Sequence, residues 1–331
     1  GSDYDGVTTI APSRIFNPLF GWEANKKLEV AIELGFFKDR LLFNSSWYQN
    51  RSSNQLIGIP LAATTGFSSL TGNFDATVEN TGFEFDLRST NIKSDNFKWD
   101  TNFNITLPKN RLVKFPELET STFANRYIIG EPISIIRLFK SLGVNPNTGI
   151  YEFEDVNGDG VITTLDDRQS IEDLSPNFFG GIGNTFSYKN FTLDLFFQFK
   201  KQKAFNSFTT QTSPGSRRNG SVNLLDRWQE IGDDVSITKA TASLDFTNAA
   251  SRENQRFSTA AVSDASFIRL RNISLSYNIP TNDAHGLNIN MYVQGQNLLT
   301  ITNFDGPDPE QSSLLILPPL RQITLGLQIG F

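Results

Sequence analysis

Cysteine is absent from the 331 residues, which removes disulfides, a thiolate nucleophile and Cys-ligated zinc or iron–sulfur sites. Histidine occurs once, as His285, so multi-His metal sites are excluded and any His-dependent catalysis has a single candidate. Charge is scarce: Asp, Glu, Lys and Arg make up 19% of the chain, below the roughly 25% of an ordinary soluble domain. The net charge of −6 is a poor footprint for a nucleic-acid binder. No apolar run approaches the roughly 18 residues of a transmembrane helix, and 38% hydrophobic residues is too few for a bundle of membrane helices. Phenylalanine is abundant instead, 29 residues against 7 tyrosines. The length exceeds one average domain, so it holds either two small domains or one large one.

Period two dominates the chain. Leu28, Val30, Ile32, Leu34 and Phe36 alternate with Glu29, Ala31, Glu33 and Gly35. Phe97, Trp99, Thr101, Phe103, Ile105 and Leu107 alternate with Lys98, Asp100, Asn102, Asn104 and Thr106. The same alternation returns at 191–199, 287–294 and 322–331, and weaker versions lie at 41–51, 75–89, 180–189 and 266–279. This is strand periodicity; helical spacing is confined to a short piece at 222–231. About nine strands result, several reaching the roughly 9–11 residues that a tilted strand needs to cross a bilayer. Segment 4–16 is a candidate for one more.

The connections alternate in length. Short ones fall at 37–40, 90–96, 189–190 and 280–286, and long ones at 52–73, 108–178, 201–265 and 300–319. An outer-membrane barrel has short periplasmic turns and long outer loops. Its outward face is apolar because lipid offers no hydrogen-bond partners. Phe97 with Trp99, and Trp47 with Tyr48, fall at expected strand ends, where interfacial girdles collect. The fold class is therefore all-β, an antiparallel transmembrane β-barrel of which residues 1–331 form about nine strands. The competing reading is a soluble antiparallel sheet with one solvated face. An odd strand count leaves open edges that lipid does not tolerate, so the sheet is expected to close against another polypeptide or an N-terminal portion of the same gene product. Gly1-Ser2-Asp3 begins no secretory signal, consistent with the later part of a longer precursor.

Asp155-Val156-Asn157-Gly158-Asp159-Gly160-Val161-Ile162, with Asp166 at the twelfth position, follows the spacing of a calcium loop. Side-chain oxygens of Asp155, Asn157 and Asp159, the Val161 carbonyl and the Asp166 carboxylate make a hard-oxygen donor set. Asp rather than Glu closes the loop, as in dockerin-like loops. Two readings stay open, a structural calcium site stiffening the 150–168 insertion in an outer loop, and a tight Asn/Gly turn without metal.

At this point the chain resembles the SusC/RagA family of TonB-dependent outer-membrane transporters. Asn17-Pro18 followed by Trp22-Glu23 is similar to that family's N-P-x-L-x-W-E segment, with Phe20 in place of Leu. The 155–162 loop with Asp167-Arg168 resembles another shared stretch. So do 176–190, which has the family's P-x-x-x-G-G-x-x-N-x-x-x-Y-K pattern, Ser266-Phe267-Ile268-Arg269-Leu270, and Gln296-Asn297-Leu298-Leu299 ahead of Gly306-Pro307-Asp308-Pro309-Glu310. Leu317-Pro318-Pro319 and Arg321 precede the last strand. The resemblance implies the C-terminal portion of a 22-stranded barrel, integral to the outer membrane. It also implies partners: the plug and N-terminal barrel portion of the same transporter, TonB reached through that portion, a SusD-like surface lipoprotein, and outer-membrane lipid. The cargo would be oligosaccharide or peptide. Phe331, behind alternating Ile and Leu, resembles the signal read by the barrel-assembly machinery.

Cargo contacts are expected in the long loops, where aromatic rings stack on ligands. Tyr127, Tyr151, Phe205 and Phe208 are the candidates, with Phe67 and Phe74 beside them; packing within the loops is the competing role for each. Lys200-Lys201-Gln202-Lys203 is a candidate for lipopolysaccharide phosphates. His285 and Asp283 read as solvated turn residues. No nucleophile–base–orienter set can be assembled, so an enzyme is not expected. Two further readings remain: a secreted calcium-stabilised β-rich glycan-binding or adhesion protein, and a passive outer-membrane pore.

Overall fold

The structure is a computed structural model that describes residues 3–4, 7–8, 15–241, 246–281, 287–311 and 316–330. Nine strands form one sheet: β1 Ala24–Phe36, β2 Leu41–Pro60, β3 Ser69–Lys93, β4 Phe97–Lys114, β5 Phe178–Tyr188, β6 Phe191–Lys201, β7 Phe267–Ile279, β8 Asn288–Thr302 and β9 Gln322–Gly330. Each strand neighbours the next in sequence, from β1 at one edge to β9 at the other. This is an up-and-down meander, the topology of outer-membrane-type barrels. The only α-helix among the described residues, α1 at Phe246–Arg256, lies in the connection between β6 and β7. No described helix is long and apolar enough to cross a membrane.

The chain divides into two contact units. One comprises 1–30, 48–81 and 109–133, and the other 31–47, 82–108 and 134–331. In the second unit the register explains the alternation seen in sequence. Trp99, Phe186, Leu193, Leu275, Val293 and Leu325 sit side by side across β4 to β9. One residue along, Asp100, Thr185, Asp194, Ser274, Gln294 and Thr324 form the neighbouring row. Successive side chains point to opposite faces, so one face is apolar across six strands and the other polar. Leu325 is 81% exposed, and neither Leu193 nor Phe103 is buried. The greasy side chains thus do not line a sealed core.

At the short-turn end, Phe97, Tyr188, Phe191 and Tyr277 align in one row of the apolar face, with the last two rings 4.5 Å apart. That row is a girdle in geometry. Two polar residues that fall on the apolar face are mutually satisfied: Asn184 Oδ1 accepts from Thr101 Oγ1 at 2.7 Å and from the Trp99 indole at 3.0 Å. Toward the other end the Phe103 and Phe199 rings stack 5.9 Å apart. Phe199 also lies over Gly180, where a Cβ would stand 2.1 Å from the Asn104 carbonyl oxygen and 2.7 Å from the Phe199 ring. Only glycine fits between that carbonyl and that ring.

The two longest connections fold into a structured cluster within the second unit. Strands Ile135–Leu138 and Ser170–Asp173 pair, as do Ser141–Val144 with Tyr151–Phe153 and Lys203–Phe205 with Val262–Asp264. Phe139, Tyr151 and Phe153 form a buried core. Helix α1 turns Asn248, Ser251 and Gln255 inward, and Gln255 accepts a hydrogen bond from Ser141 at 3.1 Å. In the first unit, Ala76, Val78, Leu112, Phe115 and Leu118 make a separate apolar core.

Four expectations are corrected. The 52–73 segment is not a long loop: β2 runs to Pro60 and β3 starts at Ser69, leaving 61–68 as the connection. Residues 52–55 are polar on both faces, so hydrophobic alternation stops while backbone pairing continues. For the same reason Trp47 and Tyr48 lie inside β2 rather than at its end. The helical piece at 222–231 is a short 3-10 turn, Val222–Asp226, and the helix forms at α1, where polar residues dominate and no apolar stripe marks it. Finally, Asp3–Tyr4 and Val7–Thr8 pair with each other and do not join the nine-stranded sheet.

Candidate functional site

The polar face of the sheet carries a charged cluster that no single motif announces. A register shift between Leu270 and Asn272 in β7 inserts Arg271 as a bulge residue, and a bulge re-aims side chains. Arg271 and Arg269 then converge on one side. Arg269, 1% exposed, donates to Thr300 Oγ1 at 2.9 Å, to Glu310 at 2.8 Å and to Asp308 at 2.6 Å. Arg271 donates to Gln198 at 2.5 Å, to Asn297 at 3.1 Å and to the other oxygen of Glu310. Gln202 adds a 2.6 Å hydrogen bond to the Pro309 carbonyl. The segment Phe304–Glu310 of the β8–β9 connection is therefore latched onto β6, β7 and β8. Each arginine fork is fully used, which offsets the desolvation of the charges. Both motifs involved, at 266–270 and 306–310, are visible in the sequence, but nothing in their spacing says that they meet.

The Asp155 loop is tightly wound. Asp155 accepts from the backbone of Gly158 at 2.7 Å and of Gly160 at 2.8 Å, and Asp159 from Val161 at 2.8 Å. Asn157 Nδ2 donates to Asp159 at 2.9 Å. Asp155, Asn157 and Asp159 are tied into one tight turn by these bonds, and the donor set named from the sequence is all oxygen, which is the kind a hard cation takes. Asp166 accepts instead from Thr163 Oγ1 at 2.8 Å. The loop is closed by Asp167, which the sequence marks only as part of the shared stretch with Arg168 and not as the closing carboxylate. Its carboxylate, 1% exposed, accepts from the backbone of Val156 at 2.8 Å and of Thr163 at 2.7 Å. Among the described residues no three acidic or histidine side chains stand together as a metal cage.

The aromatic candidates separate. Tyr127 packs against Phe115 and Phe123, with ring centroids 6.3 and 5.9 Å apart, in the first unit together with Phe74. Tyr151 is 5% exposed in the loop core, and that burial pushes its phenol pKa up. Phe205 closes a short strand against Val262, and Phe208 sits in the 3-10 turn Ser207–Thr209, capped by Asn206. Phe67 lies in the 61–68 connection. The structure does not gather these rings at one place. In the lysine stretch, Lys201 pairs with Asp264 at 2.6 Å and Lys203 with Glu172 at 2.5 Å. The lysine ammonium holds the Asp264 carboxyl down to about 2. His285, Asp283 and Phe331 lie outside the described residues.

A meander whose register sorts apolar from polar side chains over six strands, with an aromatic row at the short-turn end, defines a portion of a transmembrane β-barrel. No protein-family model matches the chain. Among curated proteins it is 30% identical to the TonB-dependent receptor P3 of Formosa agariphila, over 94% of this chain and 34% of that protein. It is 25% identical to the TonB-dependent receptor SusC of Bacteroides thetaiotaomicron, over 98% of this chain and 34% of SusC. Among solved structures, the RagAB peptide transporter aligns over 100% of this chain and 38% of its own, with a TM-score of 0.81 at 24% identity; that likeness is one of fold. Over nearly its whole length the chain is similar to the C-terminal barrel portion of TonB-dependent receptors, SusC among them. It spans about a third of the length of the curated relatives it matches.

Proposed function

We propose that the chain is part of an outer-membrane importer, driven through TonB, that takes up oligosaccharides or peptides together with a SusD-like surface lipoprotein. The observation that carries this reading is the register: six aligned strands with one continuous apolar face and one continuous polar face, in a chain related to TonB-dependent receptors. A lipid-facing exterior and a wet interior are what such a sheet needs to line a path for polar cargo. The partner class is what the resemblance to SusC/RagA proteins implies. The whole receptor would contribute the plug and the TonB contact, while this portion supplies outer loops and part of the barrel wall. The barrel-assembly machinery would insert it.

The test is uptake by cells expressing the full receptor with its lipoprotein. Labelled oligosaccharide or peptide pools should accumulate with TonB and a proton gradient and fail to accumulate without either. Uptake that survives loss of TonB identifies a passive pore. Recovery of the receptor in the soluble fraction, without detergent, identifies the secreted adhesion reading.

We further propose that Asp155, Asn157, Asp159, the Val161 carbonyl and Asp166 hold calcium, whose charge would neutralise the clustered carboxylates and stiffen 150–168. The tight turn that ties the first three residues together and the all-oxygen donor set support this. Equilibrium dialysis of the full receptor should show one calcium bound in roughly the 0.1–1 mM range of extracellular modules. Asp155→Ala should abolish it and speed proteolysis within 150–168. No binding up to about 10 mM, or equal binding by the variant, would leave the turn metal-free.

A further inference from the structure

The first unit contains a cleft of about 270 Å³ that packing does not account for. Strand β3 sends Phe74, Ala76 and Val78 to one face, and the segment following β4 folds back over that face. It is tied there by backbone bonds from Leu112 to Glu131 and from Gly130 to Leu112, both 2.8 Å. The Phe74, Phe115 and Phe123 rings meet edge-on, Phe74 standing 4.4 Å from Phe115 at 68° and 6.0 Å from Phe123 at 73°. The cleft opens between these rings, Ile57, Leu112 and Tyr127. Arg126 stands on its rim with its guanidinium 5.2 Å from the Tyr127 ring centre. Among the described residues no carboxylate lies within ion-pairing distance of Arg126. The neighbouring cations are all matched: Arg51 and Arg111 share Glu79, and Lys114 pairs with Asp75.

We propose that this cleft is a subsite for an apolar, ring-bearing or branched side chain next to a free carboxylate, as at the C-terminus of a peptide ending in phenylalanine or leucine. The proposal rests on the importer reading and narrows its cargo. The lining is aromatic and aliphatic, with Gln55, Arg126 and the Tyr127 hydroxyl as its few polar groups. A sugar ring placed there would bury hydroxyls without partners, at roughly 2–7 kcal/mol each in a fully apolar setting. Edge-on rings also present no flat platform for a pyranose face. One apolar side chain fills a space slightly below the roughly 300 Å³ at which drug-sized pockets begin. The single unmatched guanidinium selects a negative group at the mouth, and its planar fork suits a carboxylate.

The test is calorimetric titration of the full receptor in detergent. The probes are the pentapeptide Gly-Ser-Gly-Ser-Phe as the free acid, the same peptide as its C-terminal amide, and maltopentaose. The acid should bind about tenfold more tightly than the amide, the scale of one charge-assisted hydrogen-bond pair. Arg126→Ala should erase that preference, and Arg126→Lys should keep part of it. Ile133→Trp, at the cleft wall, should weaken both peptides while leaving the circular dichroism spectrum unchanged. Equal affinity for acid and amide, an Arg126→Ala receptor that still prefers the acid, or maltopentaose binding that falls with Arg126→Ala would each overturn the subsite. Those results would coexist with intact TonB-dependent uptake, whereas a wild-type receptor that accumulates no cargo overturns the importer reading itself.

Discussion

Arg269→Ala is expected to destabilise the latched β8–β9 connection by about 3–5 kcal/mol, the cost of leaving a buried ionic partner uncompensated. Arg269 is the largest of the fully buried side chains among the described residues and serves two carboxylates at once. Its removal strands Asp308, which is itself buried, and leaves Glu310 with Arg271 alone. The segment 303–311 should become protease-sensitive in the detergent-solubilised receptor, and the folded barrel should melt at lower temperature. Arg269→Met combined with Asp308→Leu should recover most of the loss, because apolar replacements of similar volume often match a buried ion pair. Arg269→Ala with unchanged proteolysis and melting would mean that the latch contributes nothing to holding the connection.

The second large effect concerns the apolar face. Leu195 lies midway along β6, in register with Asn184, Ile273, Gly295 and Ile323. If that row stands near the bilayer centre, Leu195→Arg should destabilise the folded barrel by roughly 2–4 kcal/mol, the cost of a lipid-facing cation at midplane depth. Thr192→Arg, three residues away on the polar face, should cost less than about 1 kcal/mol because its charge meets water. Refolding into lipid vesicles at graded denaturant measures both. Equal costs for the two substitutions would mean that the faces are not solvated differently, and the membrane reading would fail with them.

Much of the architecture is legible in the residues. Strand identity in β4 to β9 follows from strict alternation, and the apolar row through Trp99, Leu193 and Leu325 is the same alternation in three dimensions. Reading failed where alternation lapses. Residues 52–55 of β2 are polar on both faces, so their pairing left no hydrophobic trace. Helix α1 is a polar helix held by buried Asn248, Ser251 and Gln255, which no apolar stripe could reveal. The tight turn at Asp155, Asn157 and Asp159 was readable because its hydrogen bonds are local. The closing role of Asp167 was not legible because its partners are backbone N–H groups, which sequence does not mark.

Period-two hydrophobicity, few charges and the order of the turns were sufficient by themselves for the class of fold, because a strand's two faces are fixed by covalent geometry. The latch and the aromatic cleft needed the tertiary structure. Arg269 is 39 residues from Asp308, and Phe74 is 41 positions from Phe115, so each contact depends on strand register, and the latch depends also on the bulge at Arg271. Register decides which distant charges and rings become neighbours, the bulge at Arg271 bearing on the latch alone, and no local pattern carries that information.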